Sequence, residues 1–234
     1  MSDGPEPVLD FRRLRPGPPG TVAGDLEDGV GLAANLLLPA GPDGEVSTCR
    51  PATVGSTPFS PTTRDAGDKL DLILAGGGVM VSTGQQPGLF LGPLYTLYKI
   101  LSAVSHAQRI EAATGKPALA SFWLAGDDHD WEEVAAASLV DRTGEVRRVV
   151  LEPDASEAGR SVGAARLGAR IGPVLERFLE AAGDSEFAPG VAEMLSSAYE
   201  PSATVTEAFR EGLMGLLADV DLVIMLCAEE SCPV

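Results

Sequence analysis

Two short stretches carry residue types that could do chemistry. The first, Thr83 to Lys99 (TGQQPGLFLGPLYTLYK), sets glycines at 84, 88 and 92 around Gln85 and Gln86. Glycines between a buried strand and a helix start let backbone N–H groups converge on an anion, aided by the positive end of the helix. Gln85 and Gln86 each add donors and an acceptor. Tyr95, Lys99, Ser102 and His106 recur at helical spacing, with Tyr95 and Lys99 nearest the loop, where the Lys99 ammonium could meet a carboxylate or phosphate. The glycines match neither GxGxxG nor the phosphate loop that ends in GK[ST]. A tight turn with solvated glutamines is therefore an equal reading of Gly84, Gln85, Gln86 and Gly88.

The second stretch is Gly126 to Asp130 (GDDHD), where Asp127, Asp128 and Asp130 surround His129. Neighbouring carboxylates raise a histidine's pKa and orient its ring, which suits a general base. They could also hold a hard cation such as magnesium, or the ammonium of an amino acid; no residue is assigned as a metal ligand. The plain alternative is a capped helix start, since aspartates at N-cap and first-turn positions need no further role.

These loops need elements to position them. Asp65 to Ala75 reads as a helix stopped by Gly76-Gly77-Gly78, and Val79 to Thr83 as a buried strand. Pro93 suits the first turn of a helix running to about Ala113, with Leu94, Leu97, Leu101 and Val104 as its core stripe. Ala118 to Leu124 is the next buried strand. Strand, long helix, strand is a βαβ unit, so the two strands run parallel and both following loops open at one sheet edge, where ligands bind in open α/β sheets. Beyond Val134 come a hairpin around Arg142-Thr-Gly144, helices over Pro173 to Ala182 and Gly190 to Tyr199, a capping box at Thr204-Val-Thr-Glu207 and a third buried strand, Asp221 to Leu226. The expected organisation is a loose Gly/Pro-rich extension over 1–64, a core over 65–137, an inserted hairpin and helical subdomain over 138–202, and a return to the core over 203–234.

Composition bounds the function. The 234 residues are 44 % hydrophobic, enough for a sizeable core. A formal charge of −17 repels phosphate backbones and argues against a nucleic-acid partner. No apolar run reaches the length of a membrane span and Met1 to Arg15 has no signal-like apolar stretch, so a cytoplasmic protein without a membrane partner is expected. Cys49, Cys227 and Cys232 are odd in number and widely spaced, which suits neither a disulfide framework nor a zinc site. Cys227 follows the third core strand, so it too could sit at the ligand edge.

Together, TGQQPGLFLGPLYTLYK and FWLAGDDHDWEEV resemble the bacillithiol-biosynthesis cysteine-adding enzymes, the BshC family, over roughly Asp65 to Leu226. The resemblance implies a Rossmann-like parallel-sheet core related to class I aminoacyl-tRNA synthetases and nucleotidyltransferases, here without its C-terminal half. It implies homodimerisation of full-length relatives through a helical coiled coil absent from this sequence. It also implies a ligase that joins L-cysteine to the amino group of glucosaminyl malate, with ATP a candidate cofactor. On that reading Lys99, Asp128 and His129 are the catalytic candidates, and Gly84, Gln85, Gln86, Gly88, Tyr95, Asp127 and Asp130 the binding candidates. Gln86-Pro-Gly-Leu stands where the wider superfamily carries an HxGH-type signature, Ala135-Ala136 follow Val134 where the family tends to Asn-His, and the tail after Leu226 departs from the family. A non-catalytic, truncated small-molecule-binding module is the alternative.

Overall fold

The computed structural model describes residues 59–127, 130–157 and 159–226. Its centre is a four-stranded sheet in the order β1-β6-β3-β2. Three strands are parallel: β2 (Val79–Gln85), β3 (Ala118–Leu124) and β6 (Leu222–Leu226). The short β1 (Phe59–Pro61) pairs antiparallel with β6 and adds an edge that the sequence pattern had left inside the loose extension. Thr62 holds it there: its N–H donates to the Leu222 carbonyl at 2.9 Å, and its hydroxyl donates to the Val220 carbonyl at 2.5 Å and accepts from the Leu222 N–H at 3.0 Å.

Local signals explain where the elements start and stop. Helix α1 (Arg64–Leu74) is capped by Thr63, whose hydroxyl accepts from Ala66 N, and is followed by Gly76 at φ +88°. Helix α2 (Leu94–Thr114) opens after Pro93 and ends on Gly115 in the left-handed region, whose N–H reaches the Glu111 carbonyl. The crossover β2–α2–β3 thus has the expected parallel form. Strand β2 runs two residues further than the pattern predicts, so Gly84 and Gln85 belong to the strand and pair with Trp123 and Leu124.

Two layers cover the sheet. Ala118, Ala120, Phe122 and Leu124 of β3 join one core with Ile100, Ala103, Val104 and Ala107 of α2 and with α6 (Val205–Leu216), where Phe122 and Phe209 stack at 6.4 Å. Leu119 and Val223 face the other way, onto Ala66 and Leu70 of α1. The α2 core face is Thr96, Ile100, Ala103, Val104 and Ala107. Of the predicted stripe, Val104 is buried and Leu97 packs against the core, while Leu94 and Leu101 are exposed. Ala103 and Ala107 let the helix lie close to the sheet.

Between β3 and α6 come the short helix α3 (Trp131–Val134), the hairpin β4 (Ala136–Val140) and β5 (Val146–Val150), and helices α4 (Ile171–Ala182) and α5 (Ala188–Ala198). The hairpin turn is organised by Asp141, which accepts from the Thr143 N–H and hydroxyl, the Glu145 N–H and Arg147 Nε. The Thr143 hydroxyl first, and then Arg147, hold its carboxyl well below the usual carboxylate range.

The predicted capping box is present: Thr204 Oγ1 accepts from Glu207 N and Glu207 accepts from Thr204 N at 2.9 Å. That backbone hydrogen bond lowers the Glu207 pKa. Thr204→Ala should cost about 1 kcal/mol in urea unfolding at neutral pH. Because the folded pKa of Glu207 is depressed, its contribution is present above the ordinary carboxylate pKa and fades as pH falls through the folded value. The stability gap between the native chain and Glu207→Gln should narrow accordingly in acid.

Candidate functional site

The parallel register brings the two loops together. Gln85 and Leu124 are paired residues at the carboxyl ends of β2 and β3, and Ala125 N donates to the Gln85 carbonyl at 3.1 Å. Both loops therefore leave the same sheet edge from adjacent positions.

The first loop is rigid. Phe90 and Leu91 sit at φ 51° and 64°, a left-handed conformation that costs non-glycine residues on the order of 1–2 kcal/mol each. Packing offsets that strain. Leu89, Phe90 and Leu91 are all buried, and the Phe90 ring lies 4.8 Å from Phe178 of α4 and 5.0 Å from Tyr199, just past α5. The Tyr199 hydroxyl accepts from Leu91 N at 3.1 Å and donates to the Gly88 carbonyl at 3.4 Å. Burial pushes this phenol well above the usual tyrosine range. Gly88 has no room for a side chain, because a Cβ there would lie against the Gly92 carbonyl. Gly84 is constrained differently: a Cβ would come within 2.9 Å of the Trp123 carbonyl oxygen across the sheet.

Lys99 ties to the last two residues of β2. Its Nζ donates to the Gly84 carbonyl and, at 3.1 Å, to Gln85 Oε1, and it lies 5.3 Å from the centre of the Tyr95 ring. It belongs with Tyr95 to a groove of about 360 Å³ along the outer edge of β2, shared with Ser102 and His106. Gln85, Gln86 and Gly88 line a separate cavity of about 300 Å³, closed on its far side by Glu133 and Val134 of α3 and by Ala136 and Ser138 of β4. Gln85 joins the two places, since the residue that lines the cavity also receives the Lys99 hydrogen bond.

In the second loop, Asp127 is exposed. Asp130 caps α3 by accepting from Glu133 N at 3.2 Å, the structural role open to it from the start. Asp128, His129 and Cys227 lie outside the described residues. Gly126 carries its carbonyl to Gly163 N at 2.8 Å, and the Thr206 hydroxyl presses against both glycines, so neither position admits a side chain. Among the described residues no group of three or more His, Cys, Asp or Glu side chains could hold a metal ion. No helix among them is long and apolar enough to cross a membrane.

Glu133, Ser138 and Tyr199 were missing from the sequence-derived site. A tyrosine closing an apolar helix, in need of a partner for its hydroxyl, was the available signal for Tyr199. Glu133 and Ser138 sit in a first turn and a hairpin, where nothing in the sequence distinguishes them from solvated positions.

Three parallel strands with a crossover helix, and a cavity at their carboxyl edge between the β2 loop and the α3–β4 segment, define a Rossmann-like domain. The sequence pattern described as "Bacillithiol biosynthesis BshC, N-terminal Rossmann-like domain" matches residues 59–231, and the chain belongs to that family. It is 38 % identical over 147 residues to a protein of Salinibacter ruber, covering 63 % of this chain and 27 % of that one. With a protein of Chlorobium phaeobacteroides the figures are 34 % over 152 residues, 64 % and 27 %. With one of Geobacillus thermodenitrificans they are 29 % over 164 residues, 70 % and 30 %. All three carry the name "Putative cysteine ligase BshC". The chain spans about a quarter of the length of the first two relatives.

Tyr199→Phe strips the loop of the partner for Leu91 N and Gly88 O, and should cost about 1–3 kcal/mol in denaturant unfolding. The raised phenol pKa works through the protonated form. Its stabilisation is complete below the ordinary tyrosine value of about 10 and is lost as pH rises toward the folded pKa, so Tyr199→Phe should show a shallower loss of stability at alkaline pH. Gly88→Ala should destabilise by about 1–3 kcal/mol through the clash with Gly92, measured the same way.

Proposed function

We propose that this chain supplies the N-terminal ligand-binding part of a cysteine ligase that joins L-cysteine to the amino group of glucosaminyl malate, the last step of bacillithiol synthesis. The observation that carries the reading is the cavity between the rigid β2 loop and the α3–β4 segment, in a chain of the BshC family. An amide does not form spontaneously from a free carboxylate and an amine in water. The cysteine carboxylate must first be activated; with ATP as the candidate co-substrate it forms an adenylate with release of pyrophosphate, or an acyl phosphate with release of ADP. The amine then attacks the activated carbonyl, its proton passes to a base, and AMP or phosphate departs. His129, with Asp128 and Asp130 beside it in sequence, is the candidate base toward that amine. Lys99 is tied to the Gly84 carbonyl and Gln85, so its part is to position Gln85 and the end of β2.

A second reading is supported by the open edge of β2, which has no further strand among the described residues. On that reading the chain binds an amino acid or nucleotide at this edge without turnover.

The chain, incubated with L-cysteine, glucosaminyl malate and ATP, should yield the amide product by mass spectrometry, and His129→Ala should lower the rate by about a hundredfold or more. Undiminished turnover in that variant removes His129 from the chemistry. Calorimetric binding of cysteine or ATP with no product favours the binding module.

A further inference from the structure

We infer that the cavity beside the β2 loop receives an amine as its ammonium, and that Glu133 is the residue that selects it. The inference rests on the ligase reading for the identity of the amine and on the structure for its charge. Glycine loops at the head of a helix are the usual cradle for phosphate, with Lys99 as the expected counter-charge. Lys99 does touch this loop, but behind Gln85 and not in the cavity. Lys99 lines the outer groove and not this cavity, with its ammonium on the Gly84 carbonyl, Gln85 Oε1 and the Tyr95 face.

The cavity has one charged side chain among its described lining residues, and it is a carboxylate, Glu133. Ser138 and the amides of Gln85 and Gln86 supply the neutral polar groups, and Pro93, Leu94 and Val134 are apolar. The start of α2 does contribute positive potential, equivalent to about half a charge. Thr96 N is already bound to the Pro93 carbonyl at 2.9 Å, so that turn has spent one of its free donors. Glu133 adds a carboxylate on the opposite wall. A phosphate or carboxylate entering here would meet that carboxylate directly, with Lys99 set behind the Gln85 side chain and not in the lining. An ammonium would gain a charge-assisted hydrogen bond, stronger than a neutral one. A cavity of about 300 Å³ has room for an amino acid or the amino end of an amino sugar.

The two amines of the proposed reaction, on cysteine and on the sugar, share this chemistry, and small probes separate them. In calorimetry with the full chain, cysteamine or glucosamine should bind at least about tenfold more tightly than 3-mercaptopropionate or inorganic phosphate. Whichever amine binds better identifies the source. Glu133→Gln should erase that preference while leaving the thermal unfolding midpoint unchanged, as expected for an exposed side chain. The inference is overturned if 3-mercaptopropionate or phosphate binds as well as the amines, if no amine binds at millimolar concentration, or if Glu133→Gln keeps the preference. Product formation with an unaltered preference in Glu133→Gln overturns the role of Glu133 and leaves the ligase reading standing. Amine selectivity without product does the reverse.

Discussion

Parallel strands cannot be joined by a tight turn, and that constraint organises this domain. The chain leaves β2, must travel back along the sheet before it can enter β3, and does so through the 21 residues of α2. The return trip decides which ends of the strands coincide. It sets Gln85 beside Leu124 and sends both loops out of one edge. It also lays Ile100, Ala103, Val104 and Ala107 over the sheet as half of the main core. The same helix that builds the core therefore creates the cleft, and Lys99, in its second turn, ties back to the strand end that the chain has just left.

The loop at that edge is held by residues that enter the fold much later. Tyr199 lies 108 residues from Leu91, yet its hydroxyl anchors the Leu91 N–H, and its ring packs on Phe90 together with Phe178. Left-handed backbone at two consecutive large residues persists only where surroundings over-determine it. Here helices α4 and α5 are those surroundings. The segment between β3 and α6 thus supports the cleft and also forms one of its walls, since β4 contributes Ser138.

Charge follows the same pattern of local reuse. The chain has 17 Lys and Arg against 34 Asp and Glu, and two of its lysines, Lys69 and Lys99, are both engaged. Lys99 is consumed in closing the end of β2, and Lys69 pairs with Glu111 at 2.9 Å and Asp221 at 3.5 Å, a contact that raises its pKa chiefly through the Glu111 hydrogen bond. The cavity is left with a carboxylate, so its preference is set by what the rest of the fold has already used.

Residue order alone determined a good deal. Short apolar runs marked β2, β3 and β6, the first of them bounded by glycines; the Thr204–Glu207 box marked the start of α6, and strand–helix–strand spacing implied parallel pairing and a shared edge. Each of these is a local or near-local property, fixed by backbone propensity and periodicity. Tertiary structure decided the rest. Which face of α2 turns inward depended on the close approach of helix to sheet, which favoured Ala103 and Ala107 over Leu94 and Leu101. The separation of Lys99 from the cavity depended on the free carbonyl at Gly84, and the entry of Glu133, Ser138 and Tyr199 depended on contacts across tens of residues. Spacing along a chain places residues on one side of an element, but only packing decides which charges meet and which are already spent.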